Sequence, residues 1–203
     1  PVSVDTWRPE VMRAAVAAGA GMINDLRALR ADGALDAAAG LGVPVVLMHM
    51  LGEPRTMQDE PRYEDVVAEV KRFLAERIFA AEMAGIARGR IVADPGFGFG
   101  KTTEHNATLL ARLERFAELG VPVLAGLSRK RSLGALTGRE EPRDRVHGSV
   151  AAHLIAAQRG ARLLRVYDVA ATVDALRVWA AVDAVPRPRT PPPAPAVTID
   201  WPG

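Results

Sequence analysis

Residues 91–102 read Ile-Val-Ala-Asp-Pro-Gly-Phe-Gly-Phe-Gly-Lys-Thr, and this stretch decides the fold class. Its short apolar run ends in the carboxylate Asp94 and passes into a loop with three alternating glycines. Apolar runs this short and continuous are typical of strands buried on both faces of a parallel sheet. The glycines remove side chains from the loop, so we predict that its backbone approaches a ligand closely.

The same segment does not fit the common nucleotide-binding patterns. A phosphate-binding P-loop needs a glycine, four further residues and then Gly-Lys-Ser/Thr. Counting back from Gly100 puts Pro95 where the first glycine belongs, and Gly96 leaves only three residues between. No G-x-G-x-x-G motif follows the first strand, which disfavours a dinucleotide-binding fold.

The pattern of strand, polar residue, loop, helix and glycine recurs along the chain. Strands are predicted at residues 2–5, 22–25, 45–50, 91–94, 123–127 and 163–166. Helices are predicted at residues 9–18, 34–39, 66–84, 107–119, 146–159 and 171–182. Alternating strands and helices imply an α/β protein with a parallel sheet. Six such units fit either an open sheet or part of a (β/α)₈ barrel.

Composition narrows the classes of function. The chain has 203 residues, 49% of them apolar, which suits one domain or at most two small ones. A net charge of +2 gives no indication of a nucleic-acid partner, and the lack of cysteine excludes thiolate sites. No apolar run approaches a membrane span and no signal peptide opens the chain, so we expect a cytoplasmic protein without a membrane partner.

The end of the chain differs from the rest. Seven of the fifteen prolines lie after Val185. Proline in this density excludes helix and central strand and favours an extended or disordered segment. We therefore predict a barrel domain at residues 1–185 and a proline-rich tail at residues 186–203.

A polar or charged residue finishes every predicted strand. These residues are Asp5, Asn24, His49, Asp94, Ser128-Arg129-Lys130 and Arg165. Each one alone has a plain structural explanation, as a helix cap or a loop contact. In a parallel barrel, however, these ends converge on one rim where the active site forms, and the last two loops commonly bind phosphate. The set therefore favours a shared site for an anionic ligand, with Asp5 and Asp94 as candidate catalytic carboxylates.

The four histidines are interpreted as structural. His49 lies at a strand end, with no second histidine or acidic partner at metal-site spacing, so a core role is favoured over a metal ligand. His105, His147 and His153 fall within helical patterns. No Ser-His-Asp arrangement or glycine-flanked nucleophile elbow is visible.

Six segments together resemble the dihydropteroate synthase family. They are residues 1–6, 23–25, 46–50 with 54–58, 94–101, 126–130 and 165–169, in order and with sensible spacing. The resemblance covers residues 1 to 182, and residues 94–101 and 128–130 are its most specific parts. It implies a (β/α)₈ barrel with six of its eight βα units present, a homodimer, and Mg²⁺ as cofactor. The implied reaction joins a dihydropterin pyrophosphate to p-aminobenzoate in folate synthesis and releases pyrophosphate.

The resemblance also implies roles for individual residues. Those implied to contact the pterin are Asp5, Asn24, Met48, Asp94, Gly98 and Lys130, of which Asp94, Lys130 and Asp5 are the catalytic candidates. Those implied to hold pyrophosphate are Arg165 and Tyr167. Those implied to line the p-aminobenzoate pocket are Phe99, Ser128 and Arg131. A carboxylate suits the paired N–H donors of the pterin and a cationic pterin intermediate.

Three departures from the family pattern are visible. The family's first two βα units, which carry an asparagine that helps to hold Mg²⁺, have no counterpart here. We therefore expect an N-terminally incomplete barrel and no metal ligand within the chain. Tyr167 replaces the usual histidine and stays neutral at pH 7, and Arg131 stands where many members have serine. Two alternatives stay open: a non-catalytic pterin-binding or regulatory homologue, and the pterin-binding domain of a methyltetrahydrofolate methyltransferase.

Overall fold

A computed structural model describes residues 2–52, 57 and 60–186 of the chain. Its strands are β1 (Ser3–Asp5), β2 (Met22–Asp25), β3 (Val45–Met48), β4 (Ile91–Asp94), β5 (Leu124–Ala125) and β6 (Leu163–Leu164). Its α-helices are α1 (Pro9–Ala17), α2 (Ala34–Leu41), α3 (Val66–Met83), α4 (Thr103–Ala111), α5 (Arg131–Thr137), α6 (Val146–Gln158) and α7 (Val169–Asp183). Three 3₁₀ segments lie at Arg88–Arg90, Leu113–Leu119 and Pro142–Arg145.

The strands are parallel and follow one another in chain order. Strands β1 to β4 form one sheet, β5 pairs with β6, and a bridge between Ala93 and Val123 connects the two. Asp5 lies opposite Asn24, and Met48 lies opposite Asp94. This order, with helices between successive strands, confirms the predicted α/β barrel in partial form; within the described residues no pairing joins β6 to β1.

The core lies between the sheet and the helices. Every residue of β3 and β4 is buried, as expected for strands covered on both faces. Helix α3 turns Val70, Leu74 and Ile78 toward this core, and Asp65 caps its start by accepting bonds from two backbone N–H groups. The helix predicted at 66–84 is thereby confirmed.

Several predicted elements have different bounds in the structure, and one helix was not predicted. The helix predicted at 107–119 begins at Thr103, because Thr102 and His105 form a reciprocal capping box, and it gives way to a 3₁₀ segment after Ala111. Helix α5 was not predicted. The strands predicted at 123–127 and 163–166 are only two residues long; beyond β5, the Leu127 N–H bonds to His153 Nε2 instead of to a strand.

The predicted proline-rich tail lies outside the described residues, apart from Pro186. Most of the 54–58 motif lies outside them as well. None of the helices in the described ranges has both the length and the apolar character needed to cross a bilayer.

Candidate active site

Asp94 is the centre of a polar cluster at the carboxyl ends of the strands. Its side chain is 1% exposed; Oδ1 accepts a bond of 2.8 Å from Gly96 N–H, and Oδ2 accepts one of 3.1 Å from Arg165 Nη2. Nη1 of Arg165 lies 3.3 Å from Asn24 Oδ1. The guanidinium of Arg165, which follows β6, therefore joins the ends of β2 and β4, and this confirms that these strand ends converge.

Asp5 lies beside this cluster at the end of β1. Partial desolvation raises the pKa of its carboxyl, while the Asn24 amide and the Arg165 cation oppose the shift and the Asp94 charge adds to it. Asn24 is 5% exposed, and its Nδ2 is the one buried side-chain N or O atom of the described residues without a hydrogen bond of normal geometry, so its interaction with the Asp5 carboxyl is weak. A poorly paired buried amide is costly, so this N–H group is a natural donor to a ligand.

Lys130 lies just before α5, within electrostatic range of Asp94 and Arg165. Its ammonium donates to Phe97 O and lies 4.3 Å from the centre of the Phe99 ring. Burial lowers the pKa of Lys130 to about 8; Asp94 works against this shift and Arg165 adds to it. With this pKa the amine is still mainly protonated at pH 7 and loses its proton just above it.

The glycines of the loop after β4 pack against the chain itself. A Cβ atom on Gly96 would lie 1.8 Å from His49 O, and one on Gly98 would lie 2.8 Å from Lys130 Cδ. Gly96 and Gly98 also have φ values of +70° and +77°, which favour glycine. The glycines therefore let the loop pack closely on protein atoms, and its predicted approach to a ligand stays a prediction.

A second group of predicted residues lines a pocket of about 100 Å³ next to Arg165. Its lining is Gly126, Ser128, Lys130, Arg165, Val166 and Tyr167. Tyr167 N–H donates to Ser128 Oγ at 3.1 Å, while the Tyr167 side chain is 74% exposed. The pocket thus joins the Lys130 cluster to the residues implied to hold pyrophosphate.

Two predicted residues, Arg131 and Met48, do not line the Ser128 pocket. Arg131 is exposed and lines a separate hollow of about 510 Å³ with Gly98 and Lys101, so it does not share the Ser128 pocket. Met48 is fully buried, with Cγ 3.4 Å from where a Cβ of Gly96 would be. It packs beneath the glycine loop.

The loop of Ser128-Arg129-Lys130 is held by residues that the sequence did not single out. Arg129 has a φ of +54° and makes a bidentate pair with Asp168, at 2.6 and 3.1 Å. Its N–H donates to Ser149 Oγ at 2.9 Å. Asp168 falls within the family-like segment 165–169, which is the signal that pointed to it.

His153 supports the same loop from below. It is fully buried, accepts from Leu127 N–H at Nε2, and donates from Nδ1 to Ser149 O at 2.7 Å. The structural interpretation of this histidine is confirmed.

The described residues do not fit a Mg²⁺ site. Within residues 2–52, 57 and 60–186, no group of three histidine or acidic side chains is placed to hold a metal ion. Both oxygens of Asp94 already accept hydrogen bonds. Mg²⁺ stays a prediction drawn from the resemblance.

Parallel strands in chain order, with two carboxylates, an amide and two cations at their carboxyl ends, define a barrel protein built to bind a polar, partly anionic small molecule. Residues 1–167 match the sequence model of the family described as pterin binding enzyme, and the chain belongs to that family.

Curated relatives carry a more specific name. The chain is 51% identical over 177 residues to dihydropteroate synthase of Escherichia coli (strain K12), an alignment that covers 87% of this chain and 62% of the relative. It is 50% identical over 181 residues to dihydropteroate synthase of Haemophilus influenzae, covering 89% and 65%. The chain thus spans less than two thirds of the length of these curated relatives.

Solved structures agree in fold. Dihydropteroate synthase from Stenotrophomonas maltophilia is 72% identical with a TM-score of 0.90, covering 92% of this chain and 71% of that one. The enzyme from Xanthomonas albilineans in complex with 7,8-dihydropteroate is 72% identical with a TM-score of 0.87, covering 92% and 70%.

Proposed function

We propose that the chain carries the site of a dihydropteroate synthase. The reaction condenses 6-hydroxymethyl-7,8-dihydropterin pyrophosphate with p-aminobenzoate and yields 7,8-dihydropteroate and pyrophosphate. The observation that carries the proposal is the cluster of Asp94, Asn24 and Arg165, with Asp5 and Lys130 beside it. The names of the relatives and the dihydropteroate complex of the Xanthomonas enzyme support it.

Asp94 and Asn24 would bind the pterin ring. Asp94 is an almost fully buried carboxylate, and a carboxylate matches the adjacent N–H donors of an aminopyrimidinone. Asn24 Nδ2, which makes no hydrogen bond of normal geometry within the described residues, would donate to an acceptor on the ring edge. Asp5 would bond the same ring from β1.

Arg165 would exchange partners when the pterin binds. Its guanidinium contacts Asp94 Oδ2 and Asn24 Oδ1, the groups that the ring would use. Displaced from them, it would remain beside the Ser128 and Tyr167 pocket that it already lines. There its fork of N–H donors suits pyrophosphate oxygens, and the Tyr167 hydroxyl would add a neutral donor.

The charges around the cluster would favour departure of pyrophosphate. Loss of that group leaves positive charge on the pterin, which the Asp94 and Asp5 carboxylates stabilise. Arg165 and Lys130 stabilise the negative charge of the leaving group. The p-aminobenzoate amine then attacks the cationic carbon, forms the new C–N bond and loses a proton to solvent. Phe99 and Ser128 are proposed to hold its ring and carboxylate. The proposed contact of Arg131 with the same substrate requires its side chain to leave the separate hollow that it lines.

Pterin binding tests the proposal first. We expect calorimetric titration with the pterin pyrophosphate to show binding to the chain and loss of binding to Asp94→Asn. Asp174→Asn, an exposed carboxylate on α7, is the matched control and should bind as wild type does. A folded wild-type chain that does not bind the pterin would contradict the proposal.

Product formation is the second test. Supplied with both substrates and Mg²⁺, the protein should release dihydropteroate and pyrophosphate in equal amounts. Binding without turnover would favour the non-catalytic homologue. Binding of methyltetrahydrofolate with a requirement for a corrinoid partner would favour the methyltransferase.

A homodimer in the cytoplasm is also part of the proposal. Helix α7 exposes Val178 and Val182, at 66% and 68% of their surface. Exposed apolar residues on one helix suit a symmetric interface between two copies.

A further inference from the structure

Lys101 is a buried cation to which the proposed reaction assigns no role. It is 4% exposed, and its Nζ lies 3.0 Å from each of three groups: Gly96 O, Phe99 O and His49 Nδ1. A buried ammonium is costly unless its three N–H groups find acceptors, and here three are provided. The Lys101 side chain therefore links both ends of the glycine loop, at Gly96 and Phe99, to His49.

His49 is suited to accept the third of these bonds. Burial and the Lys101 charge lower its pKa to about 3, so the imidazole is neutral near pH 7. Burial lowers the pKa of Lys101 to about 7, which leaves the ammonium as the main form in mildly acid solution. In that form Nδ1 accepts and the ring hydrogen lies on Nε2.

The neighbours of His49 hold the imidazole in place. Phe73 makes an edge-on contact with its ring at 4.9 Å, and Tyr63 lies at 6.2 Å. The Tyr63 hydroxyl donates to Gly100 O at 2.8 Å, so the end of the loop is tied from the same side.

The loop that Lys101 closes carries contacts to two candidate catalytic residues. Gly96 N–H donates to Asp94 Oδ1, and Phe97 O accepts from Lys130 Nζ. The Phe99 ring lies 4.3 Å from the same ammonium. Movement of this backbone would thus move Asp94 and Lys130 together.

We propose that Lys101 and His49 are positioning residues for the transfer reaction, acting through the loop of residues 96–99 on Asp94 and Lys130. The inference rests on the proposed synthase function. It adds to that site two residues that hold Asp94 and Lys130 in place. Both side chains are buried, so in this proposal they act on the orientation of Asp94 and Lys130 and not by contact with substrate.

Two variants of His49 test its role as hydrogen-bond acceptor for Lys101. His49→Asn keeps an oxygen close to the place of Nδ1, whereas His49→Leu removes the acceptor and keeps an apolar side chain of similar bulk. We expect His49→Leu to lower kcat by about tenfold or more, because small displacements of reacting groups are costly. His49→Asn should restore most of kcat, and the KM for the pterin should change less than kcat in both variants.

Lys101→Met gives the complementary variant, with Lys71→Met on the outer face of α3 as control. Lys101→Met should lower kcat as His49→Leu does, while Lys71→Met should not. Equal kcat in folded Lys101→Met and wild type, or equal losses in His49→Asn and His49→Leu, would overturn the positioning role.

A spectroscopic measurement tests the hydrogen bond between Lys101 and His49 without the need for turnover. Long-range ¹H–¹⁵N correlation at pH 6 should show the His49 hydrogen on Nε2 and a hydrogen-bonded Nδ1, and the Nδ1 resonance should shift in Lys101→Met. A hydrogen on Nδ1 in the wild type would overturn the contact. A wild-type protein that makes no dihydropteroate but shows the expected His49 spectrum would instead overturn the proposed function.

Discussion

The Arg165 guanidinium passes directly over the α-carbon of Gly126. A Cβ atom on Gly126 would lie 2.8 Å from Nη2 and 3.1 Å from Nε of Arg165. Gly126 follows β5, and Arg165 follows β6, its partner strand. The missing side chain gives the guanidinium its path to Asp94 and Asn24.

Gly126→Ala should therefore weaken binding of the pterin pyrophosphate. The methyl group pushes Arg165 away from the pocket that both residues line. Loss of one charge-assisted hydrogen bond is worth about 1.5–3 kcal/mol, so we expect an increase in Kd of about tenfold or more. Calorimetric titration measures it, with Gly89→Ala as control because a Cβ there meets no atom within 4 Å. An unchanged Kd for Gly126→Ala would contradict this account.

Gly96→Ala should destabilise the protein strongly. Its φ of +70° costs an alanine about 1–2 kcal/mol, and the clash with His49 O adds about 1–3 kcal/mol of overpacking. Gly160→Ala shares the positive φ but meets no atom within 4 Å, so it should show only the first cost. Urea unfolding gives both values, and equal losses for the two variants would show that the loop does not pack tightly on His49.

His49 should make stability depend on pH. Its pKa is about 3 in the folded chain and near 6.5 when unfolded, so the unfolded state binds more protons between these values. The free energy of unfolding should therefore rise with pH over this range, by up to about 1.4 kcal/mol per pH unit from this group. Urea unfolding of wild type and His49→Asn from pH 4 to 7 isolates the contribution; parallel curves would exclude it.

The exposed face of α7 should hold two copies together. In analytical ultracentrifugation we expect the wild type to sediment as a dimer and Val178→Asp as a monomer. Val2→Asp places the same charge at a valine that is 65% exposed on another part of the chain, and should leave the dimer intact. A monomeric wild type would contradict the predicted homodimer.

The parallel barrel order was predictable because strand and helix signals alternate strongly. The apolar run 91–94 is followed by glycines that no strand or helix tolerates well, so that βα boundary is clear in the sequence. Helix α5 was missed because it is seven residues long and carries Gly134 in its interior. A Cβ at Gly134 would lie 2.6 Å from Arg139 O. Close packing therefore requires glycine at this position, even though glycine has a low helix propensity.

The polar strand ends were predictable, whereas their mutual contacts were not. Parallel strands bring the positions of Asp5, Asn24 and Asp94 to one edge of the sheet, independently of the contacts that their side chains make. The Arg165 bridge between Asn24 and Asp94 depends on the bare α-carbon of Gly126. The burial of Lys101 and its bond to His49 depend on the fold of a loop that residue spacing does not specify.

Arg165 and Asn24 are 141 positions apart in the chain, yet their side chains meet. A growing polypeptide can therefore pair β1 to β4 on the ribosome well before it can complete the polar cluster. Since contacts of such long sequence separation form late and slowly, we expect ligand binding to be the last property the nascent protein acquires.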